Sequence, residues 1–465
     1  MGARGAVTMQ YAAAGALSAM WGASLPTIDA RLDLGAGRLG AVLMAVAVGA
    51  LVAMPVAGRL ADRWTGRRLL RLTAPGAALA LAGPALSGSV ELLVVAAAGL
   101  GVLLGVLNVA LSVQAVAVER AAGRPVMATM HGTWTLGAVA AGGAVTAGLR
   151  AGADARVLLL LGALVLAVAV TVAGRALVEP PASAPLPDAV TPPSAVTGPD
   201  AAPLPDAVTP SDAVPPPGAA TSSAVVVALG LLGAAAFVAE AAATDWAGFH
   251  ATRVLGADTA TGSLAYTLFF AAMTAVRLVG DAARSRLGAG RTMRLAGCTA
   301  TAGFGLVLLA GALPATASAR VGCALTGWAL TGAGIAVVWP VVTSTLGAAG
   351  GPARQLSTVT AISYGGGLVA PALIGFVASR ASLPVALLIP AVLAAVIAVA
   401  SPAVLAATTR RHVHHVISST RNDPHDDTPD TRQQAVLRGS RHRAAAAVHG
   451  RLGDGVSAHA DPGLR

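Results

Sequence analysis

The side chains able to do chemistry in this 465-residue sequence are few, and most stand inside apolar stretches. Glu240 lies about 16 residues into one such stretch, ~24 Å along a helix at 1.5 Å per residue. Asp245 follows five residues later beside Trp246. His131 and Trp134 share a helix face at i and i+3, and Arg277 with Asp281 forms an i, i+4 pair that can neutralise itself. A charge in hydrocarbon costs roughly 2.5–3.5 kcal/mol on insertion scales, so each of these groups needs a cavity, a partner or a task. For Glu240 the task would be proton or cation coupling. The plain alternative is a carboxylate at the outer mouth, paired with an arginine such as Arg253. Asp245 is expected near the same outer interface. His131 reads as a packing residue or a proton relay, and Arg277–Asp281 as a structural pair at an inner gate.

The elements that must position these groups are transmembrane helices. Apolar residues make up 55% of the chain, charged residues 11%, and the mean hydropathy is +0.72. Twelve apolar stretches of membrane-crossing length recur, near Ala6–Pro26, Leu39–Ala57, Leu69–Leu86, Leu92–Val118, Val126–Leu149, Val157–Leu177, Ala224–Trp246, Ser263–Gly280, Leu295–Leu313, Val321–Leu346, Thr358–Ala378 and Val385–Ala407. Period-2 alternation is absent, which argues against a membrane barrel. Arg4 followed by small residues at Ala19 and Ala23 has the form of a cleavable leader, but a retained first helix keeps the count even. The expected fold is therefore an all-α membrane protein of twelve transmembrane helices.

All 31 basic residues are arginine. Alternating the loops places 17 of them, including Arg4, Arg410 and Arg411, on one side of the membrane and seven on the other, so both termini are expected in the cytoplasm. Aromatics at 3% and the lack of a basic face exclude a nucleic-acid partner. Cys298 and Cys323 read as packing residues. No G-x-S-x-G, H-E-x-x-H or Walker loop occurs, so neither an enzyme nor an ATP-driven machine is expected, and no cofactor or metal site is indicated.

Residues 179–223 hold 13 of the 28 prolines and no arginine, and repeat APLPDAVTP at Ala184 and Ala202. This is a proline-rich cytoplasmic linker. It separates an N-terminal six-helix unit, residues 1–178, from a C-terminal one, residues 224–407. Residues 408–465 form a polar tail with seven of the nine histidines, read as solvated and disordered more readily than as a metal site. Six spans, a linker and six spans is the layout of parallel repeats in secondary transporters.

One loop is conspicuous. GRLADRWTGRR, Gly58 to Arg68, puts four arginines and an aspartate between two apolar runs. Gly58, Leu60, Asp62, Arg63, Gly66, Arg67 and Arg68 resemble the G-x-L-x-D-R-x-G-R-R loop of the major facilitator superfamily; with Trp64 and Thr65 there is one position too many before Gly66, so either the loop carries an insertion or Thr65 takes the glycine's place. A second basic stretch, RLVGDAARSRLGAGRTMR from Arg277, occupies the equivalent place in the other half, with Ser285 where the acid would be. NVALSVQAVAVERAAGRPVMATMHGTWTLG from Asn108, EAAATDWAGF from Glu240 and STVTAISYGGGLVAPALIGFVA from Ser357 resemble the bacterial YbjJ-like inner-membrane branch.

That resemblance implies a twelve-helix transporter of two pseudo-symmetric six-helix bundles working by alternating access, and the first functional expectation is a secondary transporter of a small organic solute, coupled to protons or running by uniport. A receptor or scaffold on the same fold, signalling through linker and tail, is the alternative. It makes Gly58, Asp62, Arg63, Gly66, Arg67 and Arg68 a cytoplasmic latch. It also draws the cavity lining from the first, fourth, seventh and tenth spans: Gln10, Tyr11, Trp21, Asn108, Glu240, Trp328 and Thr331.

Overall fold

In a bilayer without water to satisfy backbone groups, apolar runs of Ala, Leu and Val become helices. The computed structural model describes residues 2–122, 127–177, 222–348 and 353–421. Its helices are α1 (Ala3–Leu32), α2 (Gly35–Arg63), α3 (Gly66–Leu79), α4 (Ala82–Leu86), α5 (Val90–Ala122), α6 (Met127–Arg150), α7 (Ala155–Arg175), α8 (Ser223–Phe249), α9 (Thr259–Leu287), α10 (Ala289–Ala312), α11 (Ala317–Ile335), α12 (Val338–Ala348), α13 (Ala353–Arg380) and α14 (Leu383–Arg421). A π-helical turn, His250–Val254, extends α8. Among the described residues, ten helical segments are long and apolar enough to cross a membrane; α3 with α4, and α11 with α12, each count once. α1 and α6 are not among the ten. α1 is buried along most of its length among other helices, so it tolerates Gln10, Ser18, Ser24 and Thr27 where a lipid-facing helix would not.

One compact unit comprises Met1–Arg411. α14 runs to Arg421, past the Thr408 at which the tail is expected to start. Nearly all of the proline-rich linker, and the chain beyond Arg421, lie outside the described residues.

Small residues set the helix packing. A Cβ at Gly137 of α6 would stand 1.9 Å from the Ala12 carbonyl of α1, and one at Gly101 of α5 would stand 2.1 Å from that of Val46 in α2. Only glycine allows backbones that close.

The core has a polarity along the helix axes. One end carries the start of α1 and the Gly58–Arg68 turn, and is called here the arginine-rich end. Away from it, residues of both chain halves form one continuous core, from Leu25 and Ile28 to Trp246, Phe269 and Ile374. Towards it, the C-terminal half keeps a core of its own, built from Val226, Leu229, Met293, Val342, Val359 and Leu405. The halves share a core at one end, and at the other the C-terminal half keeps its own.

Candidate functional site

The cleft between the halves is lined from α8 outward. Ala234, Phe237, Glu240, Ala241, Thr244 and Asp245 remain partly accessible along this otherwise buried helix, a stripe at helical spacing that faces the opening. The Phe237 ring packs against Trp339 of α12 (centroids 5.4 Å apart) and Tyr364 of α13 (4.7 Å), and the last two are 6.0 Å apart. Tyr364 keeps 43% of its surface exposed.

Arg277 of α9 approaches the same place. Pro340 lacks the N–H that would bond to the carbonyl four residues earlier, which helps break the helix between α11 and α12 and frees Ala336 O. Arg277 Nε donates to that oxygen at 3.4 Å, fixing the guanidinium. Glu240, Arg277 and Tyr364 act on one another electrostatically. Among the described residues the direct ion pairs belong to Arg253, so Glu240 and Arg277 face each other without touching. From the N-terminal half come Tyr11 and Ser112, which hydrogen-bond, and Asn108, whose carbonyl accepts from Ser112 Oγ at 2.8 Å. Tyr364 lies within electrostatic reach of Tyr11, so the site draws on both halves.

At the opposite end the cleft is shut. The Tyr266 ring fits over Gly22 and Gly142; Thr146 meets Ser263 and Thr267 at 3.1 and 3.3 Å; and Gly40 abuts Gly375, backbone to backbone. Nearest the cavity, Trp134 packs edge-on against Phe270 at 5.7 Å. Farthest out, Arg253 Nε donates to Asp29 Oδ2 at 2.6 Å, and its Nη2 donates to Asp29 Oδ1 at 3.2 Å and Asp33 Oδ1 at 2.7 Å. The Asp29 side chain is 1% exposed and that of Asp33 88%. Asp33 adopts a left-handed conformation at φ 45°, and Gly35 donates its N–H to Asp29, so the α1–α2 turn presents both acids to Arg253.

The sequence-based candidates separate accordingly. Glu240 lies within electrostatic reach of Arg277 and Tyr11 within reach of Tyr364, while Asn108 meets Ser112 through its backbone carbonyl. Arg253 is engaged by Asp29 and Asp33, so the pairing of Glu240 with Arg253 does not occur. Asp245 is half-buried at the shut end and within electrostatic reach of Tyr266. Four cavity candidates are packed in helix contacts. Gln10 donates to Val170 O on α7 at 2.7 Å; Trp21 is 6% exposed; Trp328 is sealed between Phe304 and His250; and Thr331 donates to Gly327 O beside Gly303. The side chains of Asp62, His131 and Asp281 lie outside the described residues.

At the latch, Thr65 Oγ1 caps α3 by accepting from Arg68 N at 3.3 Å, and the Arg68 guanidinium sits 5.0 Å over the Trp64 ring. A Cβ at Gly66 would meet Val113 of α5 at 2.8 Å, so Gly66 is the glycine of close approach, and Trp64 with Thr65 makes the turn. Arg284, in the second basic stretch, donates to Ser344 of α12.

Phe237, Trp339 and the Asp29–Arg253–Asp33 cluster were not anticipated from sequence. The i, i+3 spacing of Phe237 and Glu240 was a usable signal; the cluster, joining residues 224 apart, left none.

A polytopic helical protein with a small set of charged and aromatic side chains gathered among apolar helices has the make-up of a membrane transport protein. The chain belongs to the Major Facilitator Superfamily, whose family model matches residues 7–345. It is 28% identical over 383 residues to an uncharacterized MFS-type transporter of Yersinia pestis, covering 80% of this chain and 88% of that one. It is 26% identical over 395 residues to an uncharacterized transporter of Sinorhizobium fredii, covering 83% and 94%. Among solved structures it resembles a mutant of the nucleoside transporter NupG (TM-score 0.61, 14% identity, 86% of this chain and 99% of that). It also resembles a bacterial homologue of the human lysosomal transporter Spinster in an inward-facing, occupied conformation (TM-score 0.58, 13% identity, 88% and 96%). At such identities these likenesses concern the fold. The protein is thus a multi-pass inner-membrane transport protein, not an enzyme.

Proposed function

We propose that the chain is a secondary transporter that moves a small organic solute by alternating access, with proton coupling at Glu240. The observation that carries this reading is the polarity of the core: one shared core at the shut end, and parted halves lined by Glu240, Arg277, Tyr364 and Tyr11 at the arginine-rich end. On this reading α1 and α6 also cross the bilayer, giving twelve spans in two six-helix bundles, residues 1–178 and 224–407. The linker, the tail and both termini are cytoplasmic, because arginine is retained on that side. The described state is then open to the cytoplasm. The sequence stretches from Asn108, Glu240 and Ser357 support kinship with the YbjJ-like branch.

Ser112, exposed on α5 beside Tyr11, provides the test. In a background with Cys298 and Cys323 replaced by serine, Ser112→Cys should react with a membrane-impermeant thiol reagent in inside-out vesicles much faster than in right-side-out cells. A minor fraction should become reactive from the outer face during turnover. Reactivity from the outer face alone would overturn the orientation, and reactivity that never reaches a second face would overturn alternating access.

A further inference from the structure

Resting on the reading of the cleft as the transport site, we infer that its solute is a zwitterion of amino-acid size. The ammonium meets Glu240, the carboxylate meets Arg277, and an aromatic or apolar side chain lies on the Phe237, Trp339 and Tyr364 rings. Three observations converge on it. Glu240 of α8 and Arg277 of α9 lie within electrostatic reach of each other, and among the described residues neither forms a direct ion pair. Arg277 spends its Nε on Ala336 O, which holds the plane of the guanidinium and leaves its terminal N–H groups for a two-point carboxylate contact. The three rings form a continuous surface one helical turn from Glu240, with Tyr364 still accessible.

Charge balance selects among ligands. In a site of low dielectric, an organic cation answers Glu240 and leaves Arg277 uncompensated; an organic anion does the reverse; a neutral polyol leaves both. A zwitterion answers both and adds no net charge. The same carboxylate then takes either a proton or the ligand's ammonium, which makes the two competitors for Glu240.

The experiment compares three probes that share one ring: L-phenylalanine, 2-phenylethylamine and 3-phenylpropanoate. Each is titrated against the full-length protein in nanodiscs at neutral pH, read by tryptophan fluorescence and by thermal stability. Phenylalanine should bind at least about tenfold tighter than either probe lacking one charge, the factor expected for one lost charged hydrogen bond. In Glu240→Gln the propanoate should bind as well as phenylalanine, and in Arg277→Gln the amine should. That crossed pattern is one a merely structural role would not produce. Wild-type protein that binds the amine or the propanoate as tightly as phenylalanine, or binds none of the three, overturns the assignment without needing either variant to fold. Two-sided labelling of Ser112→Cys needs no ligand, so it can stand while the substrate class falls; loss of both removes the transport reading as well.

Discussion

Arg253→Gln should release the shut end of the cleft. The substitution leaves Asp29, 1% exposed, without its guanidinium, and removes the outer contact to Asp33. Deleting one partner of a buried charge pair costs ~3–5 kcal/mol. Arg253 is itself 37% exposed and Asp29 retains the Gly35 N–H, so roughly half of that, ~2 kcal/mol, is the appropriate figure after solvent screening. The loss falls on the state that makes the contact, and ~2 kcal/mol corresponds to about a 30-fold shift in the balance between the two states. A cross-link reports that balance. A Cβ at Gly37 would lie 3.3 Å from Ser379 Cβ, close to disulfide range, so Gly37→Cys with Ser379→Cys in a background lacking Cys298 and Cys323 should oxidise readily when the end is shut. Adding Arg253→Gln should slow that oxidation in proportion to the shut fraction lost, by up to about 30-fold where the shut state is not the majority. Asp33→Asn, touching only an exposed pair worth ~0–1 kcal/mol, should slow it no more than a few-fold. Unchanged cross-linking in Arg253→Gln, or equal effects of Asp29→Asn and Asp33→Asn, would refute the reasoning.

Other substitutions separate the remaining roles. Asp62→Asn should leave insertion and solute binding intact while slowing turnover in proteoliposomes, and wild-type turnover would discard the latch. Glu240→Gln should abolish proton-driven accumulation, with exchange persisting once solute is raised to offset the weaker site; accumulation that survives would place coupling elsewhere. Gly137→Val drives a side chain into the Ala12 carbonyl, so its cost belongs at or above the ~1–3 kcal/mol range for overpacking, visible as a lowered thermal midpoint. A midpoint equal to wild type would show that α1 and α6 separate freely.

Much of the architecture was legible because lipid imposes it. Apolar runs have one way to satisfy their backbone, and the basic turn after α2 announces itself by charge. Glu240 was legible for the same reason, as an acid where acids are costly. Its neighbour was not: the contact of Arg277 with Ala336 O, freed by a proline on another helix, and its nearness to Glu240 depend on tertiary packing that local spacing does not carry. Trp328 shows a second limit. A tryptophan in a membrane helix can line a cavity or fill a core, and the neighbours that bury it, Phe304 and His250, lie on other helices. Residue type identified what was expensive, and only tertiary packing determined which neighbour answered it.

The contact of Gly40 with Gly375 bears on how quickly the molecule can turn itself inside out. Two bare backbones that touch there carry no side chains to be pulled from a greasy bed, so parting them wets little hydrocarbon. At that one point the joint is smooth, so the resistance to opening sits elsewhere at the same end: in the apolar core the two halves share and in the clasp of Arg253 on Asp29.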